Sequence, residues 1–465
     1  MRRTEIAIIG AGPGGYVAAL RATQMGAKVI LIEKRWLGGV CLNAGCIPTK
    51  ALLKSAKVYA LIGRAHEFGI SASRPRLDWN RVQARQAQVV KQLVDGVAML
   101  LERAGVEVFF GEARFVAADT IEVKSRDGLK AVVADNIIIA TGARPAELSL
   151  PGIDSTGVVD SAGALALEKF PDSVLVIGGG AIGLEWASMF VDFGAKVTLI
   201  ELMPRLAPLM DSDLGVGLAA NLKSRGVRIL TNSSASRIKP GRRGCRVTVN
   251  TPSGEVEIEA QIVLTAVGRI PNVEKLGLEK TNVNYSKNGI EVDRHMRTAT
   301  PHIYAIGDAA AAGPMLAHVA SHQGIVAVEN ALGHPSYMDY SAVPNCIFTH
   351  PEAASVGLTE KEARAQGHAV RVGKFILANN GKAIADGEAE GFVKIVAESK
   401  NNQILGVHLM GPHASDLVLE GTLSIRLDAT LDEMESTIHP HPTMGEAILE
   451  AALAVNGRAL HLPRE

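Results

Sequence analysis

Residues 6–34 read IAIIGAGPGGYVAALRATQMGAKVILIEK, and this stretch decides the fold. Ile6 to Ile9 is a β-branched apolar run, as expected of a buried parallel strand. A G-x-G-x-x-G pattern comes directly after it, at Gly10, Gly12 and Gly15. The first glycine turns the chain, the second lets the backbone approach a pyrophosphate, and the third lets helix and strand pack closely. The helix that begins there points its positive end at the phosphates. A second strand, Lys28 to Ile32, ends at Glu33, an acid placed to accept hydrogen bonds from ribose hydroxyls.

The unit recurs. Residues 174–202, VLVIGGGAIGLEWASMFVDFGAKVTLIEL, repeat it at an offset of 168, so that Gly178, Gly180, Gly183 and Glu201 take the places of Gly10, Gly12, Gly15 and Glu33. One glycine fingerprint is weak evidence. Two complete copies, each with strand, helix and terminal acid, imply two bound dinucleotides. The acid at Glu201 favours an unphosphorylated ribose, hence NAD over NADP, and Arg205 nearby weighs against it.

Other segments fit around these units. NIIIATGARP (136–145) is an apolar strand running into a turn at Thr141 and Gly142. IVLTAVGRIPN (262–272) ends the second unit in the same way, with Gly268 in its turn. TPHIYAIGDAA (300–310) ends a strand in Gly-Asp, where Asp308 either reaches a cofactor's sugar-like chain or caps a turn. After about Ser341 the composition changes, and IFTHPEAASVGLTEKEA and FVKIVAESKNNQILGVHLMG read as strands and helices of an α+β domain. A chain of 465 residues is too long for one core, so three or so domains are expected.

Lys+Arg 48 balances Asp+Glu 48 and aromatics make up 4%, which argues against nucleic acid or a membrane surface as partner. No apolar run reaches the ~20 residues of a membrane helix. The start, MRRTEIAIIG, mimics a secretory leader, but glycines and Pro13 interrupt it, so a cytoplasmic protein is expected.

Four cysteines are too few for a disulfide scaffold. Cys245 and Cys346 stand alone and read as ordinary buried thiols. Cys41 and Cys46 stand close together in GGVCLNAGCIPTKALL (38–53) and suggest a reversible disulfide. Their spacing, with no Cys or His cluster nearby, argues against zinc. Lys50, four residues after Cys46, is either a cation favouring a thiolate or a solvated surface lysine.

Thiol chemistry near neutral pH wants a base, and STIHPHPTMGEAILEAALAV (436–455) offers one. Flanking prolines extend the chain and put His439 and His441 on one side. Thr443 and Glu446 have capping-box spacing ahead of an apolar helix. That helix start would also hold Glu446 near His441, where it could fix the imidazole's tautomer. No carboxylate or Cys partner set accompanies the histidines, so no metal site is expected.

GGVCLNAGCIPTKALL, the two nucleotide units, AIGD (305–308) and HPHPTMGE (439–446) together resemble the pyridine nucleotide–disulfide oxidoreductases over essentially the whole chain. Within that family the chain looks most like the branch that oxidises protein-bound dihydrolipoyl groups, with the glutathione reductase type as the alternative. His439 ahead of His441 is the separator, and Thr49 stands where the family often has Ser. The resemblance implies two Rossmann-like dinucleotide-binding domains and a C-terminal α+β dimerisation domain. It puts an FAD-binding domain at 1–146 and 274–343, an NAD-binding domain at 147–273 and an interface domain at 344–465. It implies FAD on Gly10, Gly12, Gly15, Glu33, Thr141, Gly142 and Asp308, and NAD on Gly178, Gly180, Gly183, Glu201 and Gly268. Cys46 would face the flavin, Cys41 would exchange with substrate, and Lys50, paired with Glu185, would sit by the flavin. His441 would be the base, oriented by Glu446. A homodimer with sites shared across its interface is implied. So is a lipoyl-bearing partner, either the acyltransferase of a 2-oxo acid dehydrogenase or the glycine cleavage H protein.

Overall fold

A computed structural model describes residues 2–73 and 75–463. The chain divides into two compact units. The first holds residues up to Leu52, Trp79–Ala146 and Gly268–Tyr340; the second holds Leu53–Asp78, Glu147–Val267 and everything from Ser341 onward.

The first unit is built on a seven-stranded sheet. Strand β1 (Arg2–Ile9) leads through helix α1 (Pro13–Gln24) to β2 (Val29–Glu33), which lies parallel to it with Ile6 opposite Val29. Beyond β2 lies β3 (Glu107–Phe110), and on the other side of β1 lies β4 (Gly128–Ile139), both parallel. The crossover through α1 thus places the glycine turn at the carboxyl end of β1, where such sheets bind ligands. Ile303–Ala305 adds a further parallel strand to β4, and Thr120–Ser125 and Glu112–Ala117 extend the edge antiparallel. Between β2 and β3 run α2 (Gly39–Ala44) and α3 (Cys46–Gly63), separated by Gly45; the boundary between the two units falls inside α3.

The second unit contains the repeat. A five-stranded parallel sheet is built from β5 (Val158–Asp160), β6 (Ser173–Ile177), β7 (Lys196–Ile200), β8 (Arg228–Leu230) and β9 (Ile262–Thr265), in the order β8-β7-β6-β9-β5. Helix α4 (Ala181–Asp192) makes the crossover from β6 to β7, and α5 (Ser212–Ser224) precedes β8. A three-stranded antiparallel meander, 234–260, packs Ile238, Val247 and Ile258 against Leu175 and Ile200 of the sheet.

From Ser341 onward the α+β expectation holds. Five antiparallel strands, β10 (Asn345–Ile347), β11 (Glu352–Gly357), β12 (Val370–Ile376), β13 (Phe392–Glu398) and β14 (Ile404–Gly411), run in the order β10-β11-β14-β13-β12. Helices α6 (Ala414–Arg426), α7 (Leu431–Ser436) and α8 (Glu446–Val455) close one core with them, through Val418, Met434, Ile448 and Ala451 against Val393 and Val407. Cys245 is buried as expected, but Cys346 is only partly covered, because β10 is an edge strand. Among the described residues no helix is long and apolar enough to cross a membrane.

Candidate active site

The two glycine turns have nearly the same geometry. Gly10 has φ +105°, and a Cβ there would lie 2.3 Å from the carbonyl oxygen of Ala140. Gly178 has φ +111°, and its Cβ would lie 2.4 Å from that of Ala266. A Cβ on Gly15 or Gly183 would land 1.8 or 1.9 Å from the carbonyl oxygen of Gly10 or Gly178. Gly12 and Gly180, by contrast, face open space, the room a pyrophosphate needs at a helix N-terminus.

Both terminal acids are buried and held by backbone amides. Glu33 accepts from the N–H of Ala11 at 2.8 Å and of Arg35 at 2.7 Å. Glu201 accepts from Gly179 at 2.5 Å and Met203 at 2.7 Å. These bonds stabilise two buried carboxylates that would otherwise be costly, and they orient each acid against its glycine turn. Arg205 donates to the carbonyl of Pro208 at 2.9 Å and so is tied within its own loop.

In the first unit the cysteine segment folds onto the first turn. The Gly38 N–H donates to the Ala11 carbonyl at 2.8 Å, and a Cβ on Gly39 would come within 2.6 Å of the Gly12 Cα. Asn43 secures the start of α2 by donating to the carbonyls of Leu37 and Gly39 at 2.8 and 2.9 Å. Cys41 lies on α2, and Cys46 opens α3. No disulfide joins the two, both are partly buried, and the Cys41 thiol is hydrogen-bonded to Cys46. That bond, with burial and the Cys46 charge, holds the Cys41 proton on far above the usual thiol range, while Lys50 pulls the other way. Lys50, one turn after Cys46, and Asp308 are both close enough for their charge to act on Cys41.

Tyr16, in the first turn of α1, was not singled out from the sequence. Burial and then the Cys41 charge push its phenol upward, so it lies within reach of that charge. Asp308 meets Arg269 Nε at 3.5 Å, and burial raises its carboxyl against that cation. Gln323, fully buried, holds the adjoining turn by accepting from the Gly307 N–H at 2.6 Å. Thr141 is engaged by protein: its hydroxyl donates to the Asn272 carbonyl at 2.7 Å, and Asn272 returns a bond to Thr141 O at 3.0 Å. Gly142 and Gly268 have φ of +68° and +117° and face open space.

In the second unit Glu185 is buried on α4 and accepts from the Phe348 N–H at 3.1 Å. His441 Nδ1 lies 2.8 Å from Glu446 Oε1, and Glu446 Oε2 accepts from the Thr443 N–H at 2.9 Å. The capping box is only half made, because the Thr443 hydroxyl turns to the Pro440 carbonyl and α8 starts at Glu446 with Gly445 as its cap. Complete boxes exist elsewhere, at Thr359/Glu362 and Thr430/Glu433. Nor do the two histidines share surroundings, as the alternation led one to expect. The His439 side chain is 5% exposed, with its nitrogens 2.9 Å from Thr437 O and Glu420 Oε1; that of His441 is 77% exposed. A carboxylate on α6 and a local carbonyl capture the first ring and leave the second to solvent. Nearby apolar side chains are also exposed: Leu419 and Leu423 along one stripe of α6, Leu427 just past its end, and Ile438. Among the described residues no group of three or more His, Cys, Asp and Glu could hold a metal ion.

The profile of the pyridine nucleotide-disulphide oxidoreductase family matches residues 4–324, and that of the family's dimerisation domain matches 343–452. The chain belongs to this family. A dihydrolipoyl dehydrogenase of Bacillus subtilis is 43% identical over 98% of the chain and 99% of its own length. One from Thermus scotoductus is 42% identical over 99% of each. Among solved structures, LpdA from Mycobacterium tuberculosis superposes with TM-score 0.89 at 28% identity, covering 97% of this chain and 99% of that one. A Cu(II) complex of the HOCl-induced flavoprotein disulfide reductase RclA from Escherichia coli gives 0.87 at 27%, with the same coverage. The fold read from sequence, two dinucleotide-binding domains and a C-terminal dimerisation domain, is the family's fold.

Proposed function

We propose that this protein oxidises protein-bound dihydrolipoyl groups to lipoyl disulfide and passes the two electrons through a Cys41–Cys46 redox pair and FAD to NAD. The observation that carries the reading is the thiol pair itself. Cys41 donates toward Cys46 in the unit whose glycine turn the same segment packs against. Relatives over 40% identical along the whole chain carry the dihydrolipoyl dehydrogenase name rather than that of a glutathione reductase.

The residues present fit both cofactors. Open space at Gly12 and Gly180 admits a pyrophosphate, and two buried, oriented acids face the ribose positions. FAD is assigned to Gly10, Gly12, Gly15, Glu33, Thr141, Gly142 and Asp308, and NAD to Gly178, Gly180, Gly183, Glu201 and Gly268. When bound, the flavin supplies a two-electron acceptor between dithiol and nicotinamide. The protein's own steps are thiol exchange. His441 takes the proton of one dihydrolipoyl thiol, and the thiolate attacks Cys41 Sγ of the oxidised pair. The Cys41–Cys46 bond breaks, and Cys46 leaves as thiolate. The second substrate thiol attacks the mixed disulfide at the substrate sulfur, Cys41 leaves with the proton that His441 had taken, and the proton of the second thiol passes to His441 in its place. Substrate loses two electrons and the cysteine pair gains them. With Nδ1 committed to Glu446, Nε2 is the nitrogen left to carry that proton. Lys50 and Glu185 are assigned as charged members of the site.

We assign the assembly as a homodimer in which each His441 serves its partner's cysteines. The dimerisation-domain match, the exposed leucine stripe on α6 and an outward-facing His441 support this. The lipoyl group would arrive on a separate protein, an acyltransferase of a 2-oxo acid dehydrogenase or a glycine cleavage H protein, in the cytoplasm. A Cys46→Ser subunit mixed with a His441→Ala subunit tests the arrangement. Each alone should fail to reduce NAD with dihydrolipoamide, and the exchanged heterodimer should regain activity at one of its two sites. A verified heterodimer that stays inactive would rule out sharing. Activity with glutathione disulfide and NADPH in place of dihydrolipoamide and NAD would rule out the substrate.

A further inference from the structure

Helix α8 carries a second histidine–glutamate pair. Glu446 and Glu450 are four residues apart and so lie one turn apart on one face. Glu446 holds His441 Nδ1 and the Thr443 N–H. Glu450 repeats the arrangement with the chain end: His461 Nδ1 lies 2.8 Å from Oε1, and the N–H groups of Leu460 and His461 donate to Oε2 at 2.9 and 3.1 Å. Asn379 adds a bond to the His461 carbonyl at 3.2 Å. Glu450 is buried, while the His461 ring is 70% exposed. A buried carboxylate with these donors is a fixed receptor for the tail, and a free one would be a costly uncompensated charge.

We infer that His461 and Glu450 are positioning residues for the His441 base: the pair pins the chain end on α8 and neutralises a buried charge one turn from the carboxylate that orients the base. This rests on His441 being the base, as assigned above. His461 is felt at Glu446, whose carboxyl it helps hold down. Other charges on the packed elements have partners of their own. On β12, Arg371 is bonded to Asn456 and Asn402, and Lys374 to Asp213. On β13, Lys394 is bonded to Asp211 and Glu398 to His368. Around α7, Glu435 pairs with Arg458, Glu433 caps Thr430 and Asp432 is exposed. His439 is held by Glu420.

The test is the pH dependence of kcat/KM for dihydrolipoamide oxidation by the holoenzyme, whose acid limb reports the base. His461→Asn leaves the Glu450 carboxylate facing no imidazole and held only by two backbone N–H groups, favours protonated His441 and should move the acid limb up by about half a unit. Glu450→Gln removes a negative charge one turn from Glu446 and should move the limb down. The double variant should return it to the wild-type position. Shifts of opposite sign identify a charge effect, whereas simple loosening of the tail would lower thermal stability and move neither limb. Unmoved limbs in both single variants, whatever their stability, would overturn the inference. His441→Gln separates the two readings: a dead His441→Gln beside unmoved limbs overturns only this inference, and an active His441→Gln overturns the base assignment and this inference with it.

Discussion

The two glycine turns share their cradle and differ in the chain that leaves it. In each, a backbone N–H closes back on the turn: Gly38 onto the Ala11 carbonyl at 2.8 Å, and Ala207 onto that of Gly179 at 2.9 Å. Both donors need positive φ, +80° at Gly38 and +45° at Ala207. After the first closure a second glycine, Gly39, allows the backbone to lie against Gly12, and the chain runs straight into α2 and Cys41. After the second it runs through Pro208 and an exposed Leu209 to Asp211, which caps α5. The two copies of the nucleotide fold thus share a cradle and differ in the loop that closes it. One arm delivers two thiols, and the other delivers a helix.

The largest effects should come from the shared part. Gly15→Ala and Gly183→Ala place a Cβ within 2 Å of a carbonyl oxygen in both turns. Each should cut NAD-linked activity by more than about 100-fold. The purified proteins should differ: Gly183→Ala should stay yellow, and Gly15→Ala should have lost its flavin. Flavin retained by Gly15→Ala and lost from Gly183→Ala would reverse the assignment of the two cradles.

A smaller effect separates the two acids. Glu201→Ala should weaken NAD use by about 10–100-fold and narrow the gap to NADP, because the carboxylate that repels a 2′-phosphate is gone. Arg205, four residues on in the same loop, is tied to the Pro208 carbonyl. Glu33→Ala should leave the NAD/NADP ratio unchanged and weaken flavin retention. A wild type that already prefers NADP would break the comparison.

Legibility in the sequence divides along the same line. The repeat was plain because glycine is demanded where a Cβ would strike a carbonyl, and the demand recurs at a fixed offset. The cysteine pair and the His441–Glu446 dyad were legible because their partners lie within five residues. The features that stayed hidden depend on distant chain. His439 is captured by Glu420, 19 residues away, and the Thr443 hydroxyl prefers the Pro440 carbonyl to its cap position. Tyr16 comes under the charge of Cys41 only once the Gly38–Gly39 loop has folded back, and no periodicity announces that.

The smallest expected effect tests whether charge braces the far ends of the helices that the two arms lead into, α3 from the first and α5 from the second. Asp192 at the end of α4 meets Arg225 at 2.6 Å, and Arg225 also donates to the His350 carbonyl at 2.8 Å. The His350 ring lies between Asp192 and Glu388 at 3.8 and 3.7 Å, distances of ion pairs rather than hydrogen bonds, and Lys57 meets Glu388 at 3.0 Å. Together these side chains line a cleft of about 380 Å³. The two acids raise the His350 imidazole above its usual value, and His350 with Lys57 lowers Glu388 to about 2. A raised histidine contributes stability that is complete below its unfolded pKa, near 6.5, and is lost as pH rises through the higher folded value. Glu388 behaves oppositely: its contribution is complete above about 4.5 and is lost as pH falls toward about 2. His350→Gln should therefore lower the thermal midpoint at pH 6 by about 1–3 °C, the range of a partly screened pair, and the difference from wild type should close by pH 9. Glu388→Gln should flatten the acid side of the profile instead. If the His350→Gln deficit were equally large at pH 9, packing rather than charge would hold this corner.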